Sequence, residues 1–295
     1  MPELSMGIVS EPAWKKQNLF VEVIKRLSLN KSAMAGMIIF IFVLLIAIFG
    51  DMLAPQDYAA INPSEANQFP SSEHWFGTDN MGRDLLSRVL SGCKWSVLIG
   101  VGAQLIACGG GIILGCVSGF FGGKTDQLIM RLCDIVQAIP GVLLNITLAG
   151  ILGRGIPNTI LALGLSGITG GTRLMRSSIM AVRKNEYLEA ASAINCSNFR
   201  IITRHALPNA FAPMIVSFTM SIGSGIIGAS ALTYLGLGVQ APNPEWGALV
   251  TAGRNYLISA PYMTIIPGLC IMLVVLSLNL FGDGLRDALD PKLKK

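Results

Sequence analysis

Apolar residues gather into six stretches along the chain, and charged and turn-forming residues return between them. A hydrocarbon core of roughly 30 Å takes about 20 mainly apolar helical residues to cross. The first stretch, Met34 to Leu53, carries no charge until Asp51. The next two run from near Trp95 to Phe121 and from near Leu128 to Leu152, in runs of Leu, Ile, Val, Ala and Gly. A shorter one covers Ile156 to Thr172, and the last two cover Phe211 to Leu235 and Tyr262 to Phe281. Repeated segments of this length and apolarity predict an all-α integral membrane protein with six transmembrane helices.

The intervening segments have distinct characters. Before the first span, Trp14, Leu19, Phe20, Val23, Ile24 and Leu27 alternate with Lys15, Lys16, Lys25 and Arg26, the pattern of an amphipathic helix lying on a membrane surface. Ala54 to Lys94 holds Pro55, Pro63 and Pro70, which break any long helix, and Leu237 to Pro261 holds Pro242, Pro244 and Pro261. Within the spans, small residues four apart allow close helix packing in lipid, as in Gly111, Gly115 and Gly119, in Gly167 and Gly171, and in Ser224 and Gly228. Asp134 lies in the third span three residues from Arg131, so a structural ion pair on one helix face is expected, with no proton relay.

Composition agrees with the bilayer: 52% of residues are hydrophobic and 13% charged, against about a quarter charged in soluble domains. The distribution of Lys and Arg predicts orientation. Alternating the six crossings puts 17 of the 22 basic residues on one side. That side, taken as cytoplasmic, holds both termini and the segment after the fourth span, with Arg173, Arg176, Arg183, Lys184, Arg200 and Arg204. The first span is expected to remain as an anchor, since 33 residues precede it and its apolar run is too long for a cleaved signal. The excess of positive charge then needs no nucleic acid. The six cysteines form no disulfide framework, because Cys108, Cys116, Cys133 and Cys270 fall in spans, Cys196 lies inside and only Cys93 lies near the outside.

Catalytic chemistry finds little footing. Gly123, Lys124 and Thr125 look like the end of a phosphate-binding loop, but position 118 is Ser118 and an apolar helix precedes them where a strand should. Leu165, Ser166 and Gly167 likewise lack the continuation of an ATPase signature. The two histidines, His74 and His205, fall on opposite sides of the membrane, and His74 is expected to be a solvated loop residue. The chain is therefore expected to form a multi-helix transport core with no catalytic residues, no metal and no bound cofactor. An ion-coupled transporter would need intramembrane charges or inverted repeats, which the sequence does not display. A channel would act without any ATPase.

The loop between the fourth and fifth spans has more structure. Asn185 is placed to cap a helix beginning Glu186-Tyr187-Leu188-Glu189-Ala190-Ala191, with two acids in its first turns. Asn195 tolerates the left-handed conformation that ends helices, and Ser197 can cap a second helix through Phe199, Ile201 and Ile202. Leu207-Pro208 is expected to force the chain extended before the fifth span. Ala190, Ala191 and Ala193 would let another protein approach the backbone closely, while Tyr187, Leu188 and Ile194 offer apolar grip.

Tyr187-Leu188-Glu189-Ala190-Ala191, followed by Arg204-His205-Ala206-Leu207-Pro208-Asn209, resembles the EAA loop of ABC importer permeases. His74-Trp75-Phe76-Gly77-Thr78-Asp79, Gly82-Arg83-Asp84 and Ser87-Arg88 resemble the segment before the second span in the oligopeptide, dipeptide and nickel permeases. Gly122-Gly123-Lys124 with Asp126, and Tyr234-Leu235-Gly236-Leu237-Gly238 with Pro242, Trp246 and Gly247, extend the likeness. Asn195 stands where that family usually has glycine. The resemblance implies a type-I importer fold, with a cytoplasmic segment 1–33, a first span and outside loop 34–94, a five-helix core 95–284 and a tail 285–295. It also implies that residues 185–209 dock on an ATPase through Tyr187, Leu188, Glu189, Ala190, Ala191, Ala193, Asn195, His205, Pro208 and Asn209. The implied partners are a second permease subunit, two cytoplasmic ATPases holding ATP and Mg²⁺, and an extracytoplasmic solute-binding protein. The implied cargo is a dipeptide or oligopeptide, with nickel or another metal chelate second and glutathione-like peptides third.

Overall fold

The computed structural model describes residues 19–289; the Trp14–Lys16 portion of the expected amphipathic helix and the end of the tail lie outside them. The described part of that helix is α1 (Leu19–Leu29), on which Glu22 and Arg26 pair at 2.6 Å. The bundle is built from α2 (Lys31–Leu53), α3 (Leu85–Phe121), α4 (Gly123–Gln137), α5 (Gly141–Leu152), α6 (Ile156–Val182), α10 (Ala212–Tyr234) and α12 (Tyr262–Leu289). Short helices α7 (Glu186–Ala193), α8 (Asn198–Ile201) and α9 (Leu207–Ala210) lie between α6 and α10, and α11 (Trp246–Gly253) lies between α10 and α12.

The helices α2, α3, α10 and α12 are each long and apolar enough to cross a bilayer, and α4 with α5 meets the same test as a bent pair. The third expected span is therefore not one straight helix. It turns by 86° between Gln137 and Gly141, where Pro140 offers no N–H and disfavours helical backbone at Ile139. The fourth expected span does not stop at Thr172 but continues to Val182, less apolar than α2, α3, α10 and α12 and packed along α3. The second begins ten residues before Trp95, because Asp84 accepts from Ser87 N at 2.8 Å and caps the helix at Leu85. At 37 residues, α3 is ~55 Å long, well beyond the hydrocarbon thickness.

Glycines set the central crossing. A Cβ at Gly111 would stand 2.6 Å from Gly171 C, and one at Gly115 2.7 Å from Thr172 O, so the α3 and α6 backbones are in direct contact. Gly119 continues the row against Arg176 and Ile179. Opposite them, Gly167 and Gly171 face Ala107. The third expected row is different: Ser224 is exposed, and the close approach of α10 to α3 is made by Gly225 against Gly100. At the end of this crossing Arg176 reaches across to Asp126 on α4, its Nη2 donating to Oδ2 at 2.6 Å, and Ser118 donates to the same carboxylate. Asp134 is held chiefly by Arg173 on α6, at 2.6 Å, with Arg131 at 3.9 Å. The expected intrahelical pair is thus secondary to an interhelical one, because Arg173 approaches from the facing helix.

At the opposite end of the bundle, residues 54–84 fold into an ordered cap. The Tyr262 hydroxyl lies 2.7 Å from Gln68 O and 2.9 Å from Thr78 O, sharing its one proton between two carbonyls. Asp79 accepts from Met81 N and Arg83 N and pairs with Arg83 Nε at 2.7 Å. His74 is not solvated: it is 2% exposed, wedged between Asp84 and Glu65. Burial removes it from water because those carboxylates supply the partners an imidazole needs. Glu245, fully buried, accepts from Gly247 N and Ala248 N at 2.8 and 2.9 Å and so caps α11. Burial raises the carboxyl's pKa, while these two amides, Thr233 and Ser96 oppose the rise.

Candidate partner-docking surface

The segment from Asn185 to Asn209 forms a compact two-faced unit. Asn185 occupies the cap position of α7 with extended backbone, but its side chain makes no capping bond; its carbonyl accepts from Leu188 N at 3.0 Å. The C-terminus closes as a left-handed turn. Asn195 has φ +59°, its N–H donates to Ser192 O at 3.0 Å, and Cys196 N donates to Ala191 O at 3.2 Å. That pair of bonds is the Schellman arrangement, in which a left-handed residue satisfies the last carbonyls of a helix. Ser197 then accepts from Arg200 N at 3.4 Å and starts α8.

Beyond α8, Ile202–Ala206 form one π-helical turn that leads into α9. Leu207 is helical, not extended, with φ −58° and ψ −49°. Pro208 is accommodated because it sits in the first turn of a new helix, where no N–H is required of it, and the wider turn before it takes up the change in register. Asn209 Nδ2 donates to His205 O at 2.7 Å across this junction.

The two faces of the unit differ in kind. Leu188, Ala191, Ile201, Ala206 and Ala210 are all buried and pack on Met175 and Ile179 of α6 and Met214 of α10. Leu188 alone contributes about 1.5–3 kcal/mol by its burial. Of the residues expected to meet a partner, Leu188 and Ala191 therefore face the chain's own core; they lie three apart on α7 and share its inner stripe. The outer face carries Tyr187, Glu189, Ala190, Ala193 and Asn195, all exposed, with Ile194 at 77% and Phe199 at 78%. Phe199 was expected only as part of the second helix, yet it is as bare as Ile194. Its position two residues after the Ser197 cap, two before the buried Ile201, could have placed it on the outward side. His205 is half-buried, and Pro208 and Asn209 are exposed beside a cleft of about 1080 Å³ between this unit, α1, α6, α10 and the end of α12.

Because φ is positive at Asn195 and its side chain is exposed, replacing it tests the turn with little other disturbance. Asn195→Gly is expected to be neutral or slightly stabilising, and Asn195→Val to destabilise by about 1–2 kcal/mol, since a branched side chain fits the left-handed region poorly. Hydrogen exchange across residues 186–201 would measure it.

A bundle of closely crossed apolar helices, with a helical loop anchored on its core and bare on its outer side, is the build of a multi-helix membrane protein. The chain belongs to the family of binding-protein-dependent transport system inner membrane components, whose model matches residues 111–295. Residues 18–70 match the N-terminal transmembrane domain of oligopeptide transport permease C. The chain is 45% identical over 273 residues to the dipeptide transport system permease protein DppC of Alkalihalophilus pseudofirmus, covering 92% of this chain and 90% of that one. It is 42% identical over 271 residues to the glutathione transport system permease protein GsiD of Escherichia coli, covering 92% and 89%. Among solved structures, a chain of the MetNI methionine ABC transporter in an inward-facing conformation superposes with a TM-score of 0.52 at 16% identity, over 69% of this chain and 93% of that one. The fold is that of a type-I ABC importer permease, and the protein is a non-catalytic permease subunit whose ATPase is a separate polypeptide.

Proposed function

We propose that this chain imports short peptides across the cytoplasmic membrane, with residues 185–209 as the contact through which the ATPase drives it. The observation that carries the reading is the two-faced loop: an outer surface where Ala190, Ala193, Ile194 and Phe199 lie bare beside Tyr187, Glu189 and Asn195, and an inner surface packed onto α6 and α10. A push on α7 is then passed through Leu188 and Ala191 to Met175, Ile179 and Met214, and from α6 through the glycine contacts to α3. Helices joined in this way move as rigid bodies, which suits alternating access. The orientation that suits this reading has six crossings, both termini cytoplasmic and the 54–84 cap outside, in line with the partition of basic residues. A second permease subunit, two ATPases holding ATP and Mg²⁺, and a solute-binding protein complete the assembly.

Peptide cargo is supported by the names of the relatives, a dipeptide and a glutathione permease, and by the oligopeptide-permease match at residues 18–70. The test is uptake by proteoliposomes holding the complete complex with its binding protein. Labelled di- and tripeptides should enter in an ATP-dependent, saturable way, glutathione should compete to a degree set by the binding protein, and Ni²⁺ should not enter. Uptake of Ni²⁺ without peptide uptake would refute the peptide reading, and uptake that persists without the ATPases would refute ATP coupling.

A further inference from the structure

His74 is a buried titratable group that the transport reading does not use. Its Nδ1 lies 2.9 Å from Asp84 Oδ1 and its Nε2 3.4 Å from Glu65 Oε2. A neutral imidazole carries one N–H and cannot donate to both. With the proton on Nδ1 the Asp84 bond survives, but the Nε2 lone pair then faces the Glu65 carboxylate. Only the imidazolium satisfies the two carboxylates together.

The two acids belong to different parts of the cap. Asp84 is the N-cap of the 37-residue helix α3, its other oxygen accepting from Ser87 N and Ser87 Oγ at 2.8 and 2.7 Å. Glu65 ends the short 3₁₀ turn Pro63–Glu65, and its carbonyl accepts from the Thr78 hydroxyl. We propose that protonated His74 is a strut that ties residues 62–68 to the N-terminus of α3, so that this part of the cap loosens as the medium on its side becomes alkaline.

Among these groups the imidazole is the one whose ordinary value lies near neutrality. Asp84 and Glu65 are the charged groups that face its ring. The neighbouring buried charges, Asp79, Arg83 and Arg88, pair among themselves, and α12 contributes the Tyr262 hydroxyl, bound to two carbonyls. The hydrogen bond to Asp84 raises the pKa of His74 above its ordinary value, desolvation opposes it, and Glu65 adds to the rise. The strut is at full strength below the ordinary histidine value of about 6.5 and is lost as pH rises through the elevated folded value. Glu65 gives way first, since its side chain is 35% exposed and Asp84's is 2%. Trp75 and Phe69, exposed at 70% and 60% and flanking the strut in sequence, are the surface this loosening would reshape.

The chain has two histidines, so ¹⁵N-histidine labelling of this subunit alone, in the complete complex in lipid nanodiscs, yields two pairs of ring-nitrogen signals. A His205→Gln variant assigns them. The expected result is that His74 holds both ring protons to a pH above the ordinary histidine value, and loses one together with a loss of hydrogen-exchange protection at residues 62–68. Glu65→Gln leaves Asp84 in place and lets a neutral Nε2 accept from the amide, so it should move the midpoint down. A midpoint at or below the ordinary value, a midpoint unmoved by Glu65→Gln, or protection at 62–68 that ignores the titration would each overturn the strut.

Discussion

Ala190→Arg should leave the permease folded and inserted but abolish uptake, whereas Ala191→Arg should destroy the loop itself. Ala190 is exposed on the outer face of α7, where added bulk meets only solvent until a partner arrives. An arginine there puts volume and an unmatched charge into a docked contact, a change of the kind that costs 2 kcal/mol or more at an interface centre, or roughly a 30-fold loss of affinity. Ala191, at 6% exposure, has its neighbours in place already. A guanidinium forced among Leu188, Ile179 and Met214 is an unpaired buried charge and should cost several kcal/mol. Copurification of the ATPases, ATP hydrolysis and hydrogen exchange of residues 186–201 separate the two outcomes. Only Ala191→Arg should lose protection in the loop.

Gly111→Leu should prevent accumulation of folded permease. At this point the two longest-contacting helices meet backbone to backbone, and a Cβ would stand 2.6 and 2.7 Å from Gly171 C and Cα. Those atoms belong to main chain and cannot swing aside, so α3 and α6 must part along the row that includes Gly115 and Gly119. Overpacking of a dense interior typically costs about 1–3 kcal/mol, and a branched side chain against main chain lies at or beyond the upper end. Gly109→Leu is the control, because a Cβ there meets nothing within 4 Å. Expression in membranes and thermal stability in detergent should fall for the first variant and hold for the second.

These sites differ in how far the sequence announced them. Glycines four apart in an apolar run mark a close helix crossing, and Gly111, Gly115 and Gly119 make one. Asn195 and Ser197 were legible because the end of one helix and the start of the next each demand a particular side chain. The break at Pro140 was harder to place, since the apolar residues on both sides run on as if one helix spanned them. Pro208 misled for the opposite reason: proline can begin a helix as well as end one, and the preceding π turn has no sequence signature here. His74 gave no sign of burial, because its partners Glu65 and Asp84 come from nine and ten residues away and are brought together by the tertiary fold. The inward and outward stripes of α7 were within reach. Leu188 and Ala191 are three apart, and eight residues contain enough turns to define a face, but small residues suited both a partner and a core.

A photoreactive amino acid placed at position 190 or position 75, in the intact complex within native membranes, tests the central claim most directly. Both positions are exposed, and they lie at opposite ends of the bundle. The account predicts that position 190 cross-links to the ATPase subunit and position 75 never does. Cross-linking of the ATPase from position 75, or its absence from position 190 in a complex that hydrolyses ATP and transports, would contradict it.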